Sequence, residues 1–314
     1  TTRDLLFTVP LPGVAGNYAA SPAVNVGSML NRGIDFQIIN RGNLGSKLTY
    51  ELTLNNAFLH NEITKLADGI PFFDGGSYRG IAPIRNQPGY GLSEFFGYKM
   101  IGYFNSKAEV DASKQPGAGI GRFKYEDVNG DGQITPADRT YLGSPVPTYT
   151  GGINLGLTYK DFEFSAYMNV SAGNKIWNQQ KWFTDFFGTF QGAGKGERAK
   201  QSWTPALGNS AAAPIWESAS NMSTSAAANS WYVENGDYLR IQNVSLGYNI
   251  PKAYTSKLGI KRAKFTLSAN NILTLTKYKG LDPGVGGAAD TGFGIDVGNY
   301  PVTRSFNASI NLTF

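Results

Sequence analysis

Long stretches of strictly alternating apolar and polar residues are what most limit the folds open to this chain. At its end Phe306, Ala308, Ile310, Leu312 and Phe314 share one side of an extended strand, and Asn307, Ser309, Asn311 and Thr313 share the other. Residues 47–59 repeat the pattern, with Leu48, Tyr50, Leu52, Leu54 and Phe58 set against Thr49, Glu51, Thr53 and Asn55. Around Lys160-Asp161 two ladders meet as a hairpin. Ile153, Leu155, Leu157 and Tyr159 precede the turn; Phe162, Phe164, Ala166, Met168 and Val170 follow it. Weaker ladders lie at 31–40, 238–250 and 263–273. In 238–250 Leu239 and Ile241 are out of phase with Val244 and Leu246, so a bulge or a rim position is expected around Asn243.

A soluble β-sandwich also alternates, and three features argue against it. Several ladders run for ten residues or more, the length a tilted membrane strand needs, whereas soluble strands average about five or six. Short connections (42–46, 160–161, 251–262) alternate with long ones (62–147, 174–236, 276–302), which is the turn-and-loop rhythm of outer-membrane barrels. Asp35, Glu51, Glu163 and Lys264 all fall on polar faces, as they must if the other face meets lipid, where a mid-membrane charge costs about 2–4 kcal/mol. Aromatics gather by the short turns: Tyr50, Tyr159, Phe162, Tyr248, Phe265 and Phe314. The expected fold is therefore all-β, an antiparallel transmembrane β-barrel with long extracellular loops. Leu155, Leu157, Phe164, Ile310 and Leu312 are its expected lipid-facing residues.

Composition agrees. Charged residues make up 16% of the chain and aromatics 13%, with 39 Gly, 17 Tyr and 19 Phe. Average globular domains carry about 25% charged residues. There is no Cys, which removes disulfides, thiol catalysis and Cys-ligated metals. The net charge of +5 is dispersed, so no nucleic-acid surface is expected. Seven full ladders and a stub near Leu5–Val9 fit part of a larger barrel. The opening around Arg3-Asp4 has no leader character, so an export signal is expected elsewhere.

Several stretches resemble the SusC/RagA family of TonB-dependent outer-membrane transporters: Val26–Ile34 (VGSMLNRGI), Phe123–Leu142 with the following SPVPTY, Asp237–Pro251 (DYLRIQNVSLGYNIP), Asn270–Pro283 (NNILTLTKYKGLDP) and the Tyr300–Phe314 terminus. They occur in the family's order. The resemblance implies the C-terminal strands of a 22-stranded barrel, with an N-terminal plug outside this sequence. It also implies a SusD-like surface lipoprotein, coupling to the TonB complex, and uptake of oligosaccharide or oligopeptide fragments. As the terminal residue of such a barrel, Phe314 is the expected assembly signal.

The sharpest chemical motif is DVNGDGQITPAD, residues 127–138. Asp127, Asn129 and Asp131 stand at positions 1, 3 and 5 of a calcium loop, with Gly132 at 6 and a hydrophobe at 8. The Gln133 carbonyl would supply position 7 and Asp138 position 12, where EF-hands carry Glu. A structural Ca²⁺ is expected, and a metal-free Asx-turn loop is the alternative. His60 is the lone histidine and no G-x-S-x-G motif accompanies it, so neither triad nor zinc site is expected, and no enzyme. Trp177, Trp182 and Phe183 open an aromatic cluster in the second long connection. They are candidate substrate contacts, against the plainer reading of a loop core. Residues 208–230, rich in Ala, Ser and Asn, read as low-complexity loop. The competing function is a secreted, calcium-stabilised surface binding or adhesion module.

Overall fold

The alternating ladders become strands of one sheet. A computed structural model describes residues 2–8, 23–192, 194–287 and 292–314. Its main sheet consists of β1 (Thr2–Thr8), β2 (Ala23–Leu44), β3 (Leu48–Lys65), β4 (Tyr149–Tyr159), β5 (Phe162–Ala172), β6 (Tyr238–Ile250), β7 (Arg262–Thr276) and β8 (Ser305–Thr313). Each pairs with its neighbours in sequence, all antiparallel, to give an eight-stranded meander with β1 and β8 at the edges. The stub expected near Leu5–Val9 is β1, with Val9 outside the described residues.

Register sorts the side chains by face. Leu155 stands between Leu52 and Ala166, and Leu157 between Tyr50 and Phe164. Phe164 lies beside Leu246, Ile310 beside Phe265, and Leu312 beside Ala263. One face is therefore apolar from β2 to β8, and its larger side chains lie open: Ile34, Phe36, Ile38, Leu246, Leu267, Phe306 and Ile310 are all exposed. Two polar exceptions on this face, Asn40 and Asn56, are paired there, since the hydroxyl of Tyr50 donates to Asn40 Oδ1 (2.6 Å) and that of Tyr149 to Asn56 Oδ1 (2.8 Å). Of the bulge or rim position expected around Asn243, it is the bulge that is present. Pairing skips Gln242, which returns Leu239 and Ile241 to the apolar face opposite Val170 and Met168.

Two strands outrun their sequence signal. β2 and β3 stay paired out to Ser28–Lys65, whereas β4 leaves β3 at Phe58. The outer part of this hairpin has no alternation to announce it.

The hydrophobic core lies outside the sheet. Ile81, Ile84, Phe95, Tyr98, Phe123, Tyr125, Trp177, Phe186, Trp203, Tyr232 and Ile295 form one buried cluster drawn from the three long connections. Short strand pairs stitch it together. Lys175–Asn178 pairs with Val233–Asn235 on one side and Ile295–Asp296 on the other, tying the second connection to the third. Stretch 208–230, expected to be plain loop, is part of this body. Ala213, Ser223, Thr224, Ser225 and Asn229 are buried, and small side chains there allow backbone to approach backbone. A Cβ on Gly97 would lie 2.4 Å from the Ala228 carbonyl oxygen.

Candidate functional site

Two surfaces and one loop body carry the chemistry. The polar face of the sheet holds a groove of about 910 Å³ lined by Gln37, Asn55, Thr150, Tyr167, Asn169 and Tyr238 among others. Away from the groove, two pairs of opposite charge meet on the same face. Arg41 meets Glu51 at 2.9 Å, and Glu163 accepts from both Lys264 and Asn249. Arg240, almost buried, reaches from this face to Asp282 at 2.5 Å, anchoring the third long connection over the sheet.

Within the loop body a polar network runs through the aromatic core. Lys181 donates to Glu234 (2.8 Å) and to the Trp231 carbonyl (2.5 Å), with its ammonium 4.7 Å from the Trp231 ring centre. Burial pushes the Glu234 carboxyl up, but the Lys181 charge and hydrogen bonds from Lys181, the Lys279 amide and Asn178 outweigh it, so Glu234 is held below its ordinary range. Asp296, buried, accepts from Gln180 and the Tyr278 hydroxyl, both at 2.6 Å. Arg198 pairs with the fully buried Asp185 at 2.5 Å.

Of the candidate substrate contacts, Trp177 has no exposed surface. It stacks on Tyr232 at 4.8 Å, and its indole N–H donates to Gln179. Its place is in the core, which corrects the substrate reading for this residue. Trp182 and Phe183 are only partly buried and meet edge to face at 5.0 Å. The guanidinium of Arg79, which no sequence motif singles out, lies over both rings.

The loop 127–138 has the backbone of its motif. Gly130 and Gly132 take φ +75° and +80°, with open space where a Cβ would stand, and Ile134 inserts into the core. The Asp127 oxygens accept the amides of Gly130 and Gly132 (both 2.7 Å); Asn129 and Asp131 accept those of Asp131 and Gln133. Asp138, completely buried, accepts from Thr135 (2.7 Å) and Val128 (3.0 Å) and so ties the loop ends together. Those hydrogen bonds, the Thr135 amide foremost, hold its carboxyl below the ordinary range. Among the described residues no three Asp, Glu, His or Cys side chains converge as a metal cluster. The oxygens of Asp127, Asn129, Asp131 and the Gln133 carbonyl are the unburied donors suited to a hard cation, while Asp138 is buried.

An antiparallel barrel wall, apolar on one face and carrying a folded loop body at one end, is the class of protein these features define. No protein-family profile matches the chain. Over its full length it is 31% identical to the TonB-dependent receptor P26 and 29% identical to the TonB-dependent receptor P3, both of Formosa agariphila, covering 32% and 31% of those proteins. It is 27% identical to the TonB-dependent receptor SusC of Bacteroides thetaiotaomicron, covering 29% of it. The RagAB peptide importer in its closed-closed state superposes with a TM-score of 0.77 at 25% identity, over 99% of this chain and 32% of that one. In sequence and fold the chain is similar throughout to TonB-dependent receptors, SusC and the RagAB importer among them, and it spans about a third of their length. These relatives are receptors and transporters, not enzymes.

Proposed function

We propose that the chain forms part of the barrel wall and the external loops of an outer-membrane importer for nutrient fragments. The observation that carries this reading is the division of the sheet, apolar on one face and bearing the charged side chains Asp35, Arg41, Glu51, Glu163 and Lys264 on the other. With no water to satisfy an open backbone, only helices and closed barrels span a bilayer. The apolar face then meets lipid through Leu155, Leu157, Phe164, Ile310 and Leu312, and the polar face lines the interior. In this reading the chain is the C-terminal portion of the barrel, the loop 127–138 lies outside the cell, and energy arrives from the TonB complex through parts beyond these residues. The cargo is an oligosaccharide or oligopeptide, received together with a SusD-like surface lipoprotein. Similarity to a peptide importer supports the oligopeptide; the oligosaccharide rests on the sequence resemblance alone.

The test is uptake by cells whose only carbon source is a defined oligosaccharide or oligopeptide mixture. Import should stop when the receptor gene or TonB is removed. Uptake independent of both would overturn the reading, as would a receptor that stays soluble and monodisperse without detergent, the behaviour of a secreted adhesion module. We also propose that the loop 127–138 takes one Ca²⁺ through Asp127, Asn129, Asp131 and the Gln133 carbonyl, with Asp138 closing the loop beneath it. The cation would fix the loop and take no part in chemistry.

A further inference from the structure

Arg79 occupies a position that its residue type does not favour. It and Gly80 are the central pair of a tight turn in which Tyr78 and Ile81 exchange backbone hydrogen bonds of 2.8 and 3.1 Å. Both central residues have positive φ, +56° for Arg79 and +80° for Gly80. Such turns prefer Asn or Asp at the first of these positions, because a branched or long side chain is strained there. Phe190, facing Arg79, is also left-handed at φ +42°. Five non-glycine residues among those described have positive φ, and two of them meet at this one point. Strained backbone gathers where a site is held in a set geometry.

The side chains explain what is held. The Arg79 guanidinium lies 5.5 Å from the Trp182 ring centre, 5.2 Å from Phe183 and 5.9 Å from Phe190. Aromatic faces grip a planar cation and leave its N–H edges free. Arg79 itself is exposed, and no acceptor or carboxylate among the described residues engages those edges. The ground beneath is positive as well. Lys195 donates to the carbonyls of Phe183 (3.1 Å) and Thr189 (2.6 Å), fixing the segment that carries the rings. Asp185, the acid in that segment, is taken by Arg198. A rigid guanidinium fork with five donors matches a carboxylate in a two-point contact. Phe190, 54% exposed, adds an apolar wall for the group that bears it.

We propose that Arg79, caged by Trp182, Phe183 and Phe190, binds a carboxylate on the fragment to be imported. The site deepens the import reading and rests on it. A carboxylate can come from an acidic peptide or from a uronic-acid sugar, and the test separates the two. The intact receptor in detergent is titrated by calorimetry with pentaglutamate, pentaglutamine, trigalacturonate and the methyl ester of trigalacturonate. An acidic probe should bind about tenfold or more tighter than its neutral counterpart, the worth of a charge-assisted hydrogen-bond pair. Which acid shows the preference names the source. Arg79→Gln and Arg79→Gly, the second free of turn strain, should abolish the preference; Arg79→Lys should keep part of it, and the distant surface variant Lys107→Gln all of it. Equal wild-type affinity for acidic and neutral probes overturns the site. So does a preference that survives Arg79→Gln, or a loss that falls equally on both kinds of probe and marks a loop brace. Uptake is scored separately in cells. Import without acid preference refutes the site alone, whereas acid preference without import refutes the import reading alone.

Discussion

Asn154 and Leu155 are chain neighbours with opposite surroundings. Leu155 sits in the apolar row between Leu52 and Ala166, and Asn154 in the polar row between Thr53 and Tyr167. Leu155→Arg should cost about 2–4 kcal/mol in the bilayer and lower the yield of folded receptor in outer membranes. Asn154→Arg should leave that yield near wild type; equal yields would refute the assignment of faces. A second residue-scale expectation concerns Lys181 and Glu234. Removing one member of a buried ion pair strands the other charge and costs about 3–5 kcal/mol, while replacing both by apolar groups is often neutral. Lys181→Met should therefore open the loop body to protease, and adding Glu234→Leu should restore protection. Additive damage in the double variant would show that the charges themselves are needed.

At the scale of elements, the ladders with clean alternation are legible in the sequence: β4, β5 and β8 lie where the pattern places them, and β3 does so over its alternating part. The phase slip between Ile241 and Val244 in β6 can also be read, as a bulge or a rim position, and the register shift there makes it a bulge. The loop body is not legible in this way. Its core uses single aromatics spaced far apart in sequence, such as Phe95 against Trp177 at 6.0 Å, and contacts of that kind leave no period. The Ala- and Ser-rich stretch reads as structureless for the same reason, since what matters there is small size beneath Trp and Tyr. Arg79 leaves no signal because its value lies in backbone conformation and in rings more than a hundred residues away.

The loop 127–138 gives two element-scale expectations. Chelating calcium should expose residues near 116–140 to protease while the strands stay protected, and Asp127→Ala with Asp131→Ala should do the same with calcium present. Unchanged cleavage on chelation would reduce the motif to a turn. Asp138 sets the pH response. Its carboxyl is held below its ordinary value in the fold, so its contribution is complete above the unfolded pKa of about 3.9 and is lost as pH falls through the lowered folded value. Protease sensitivity of the loop should thus rise only below about pH 4, and Asp138→Asn should remove that step. For β8, deletion of Phe314 should lower receptor levels in the outer membrane, and unaltered levels would count against its part in assembly.

On the scale of the whole molecule, the sheet and the loop body divide the work. The sheet has almost no core of its own, and the burial expected of a soluble domain is found in the connections. That distribution makes sense only if the apolar face is covered by something other than this chain, and lipid is the cover we propose. The chain contains no Cys, so single Cys substitutions along β4 can be labelled cleanly in receptors held in native membranes, once any Cys elsewhere in the receptor is replaced. A membrane-impermeant thiol reagent should label positions 154, 156 and 158 and spare 153, 155 and 157, a period of two that unfolding abolishes. Labelling of all six positions alike, or protection of the even set in place of the odd, would contradict a lipid-facing barrel wall.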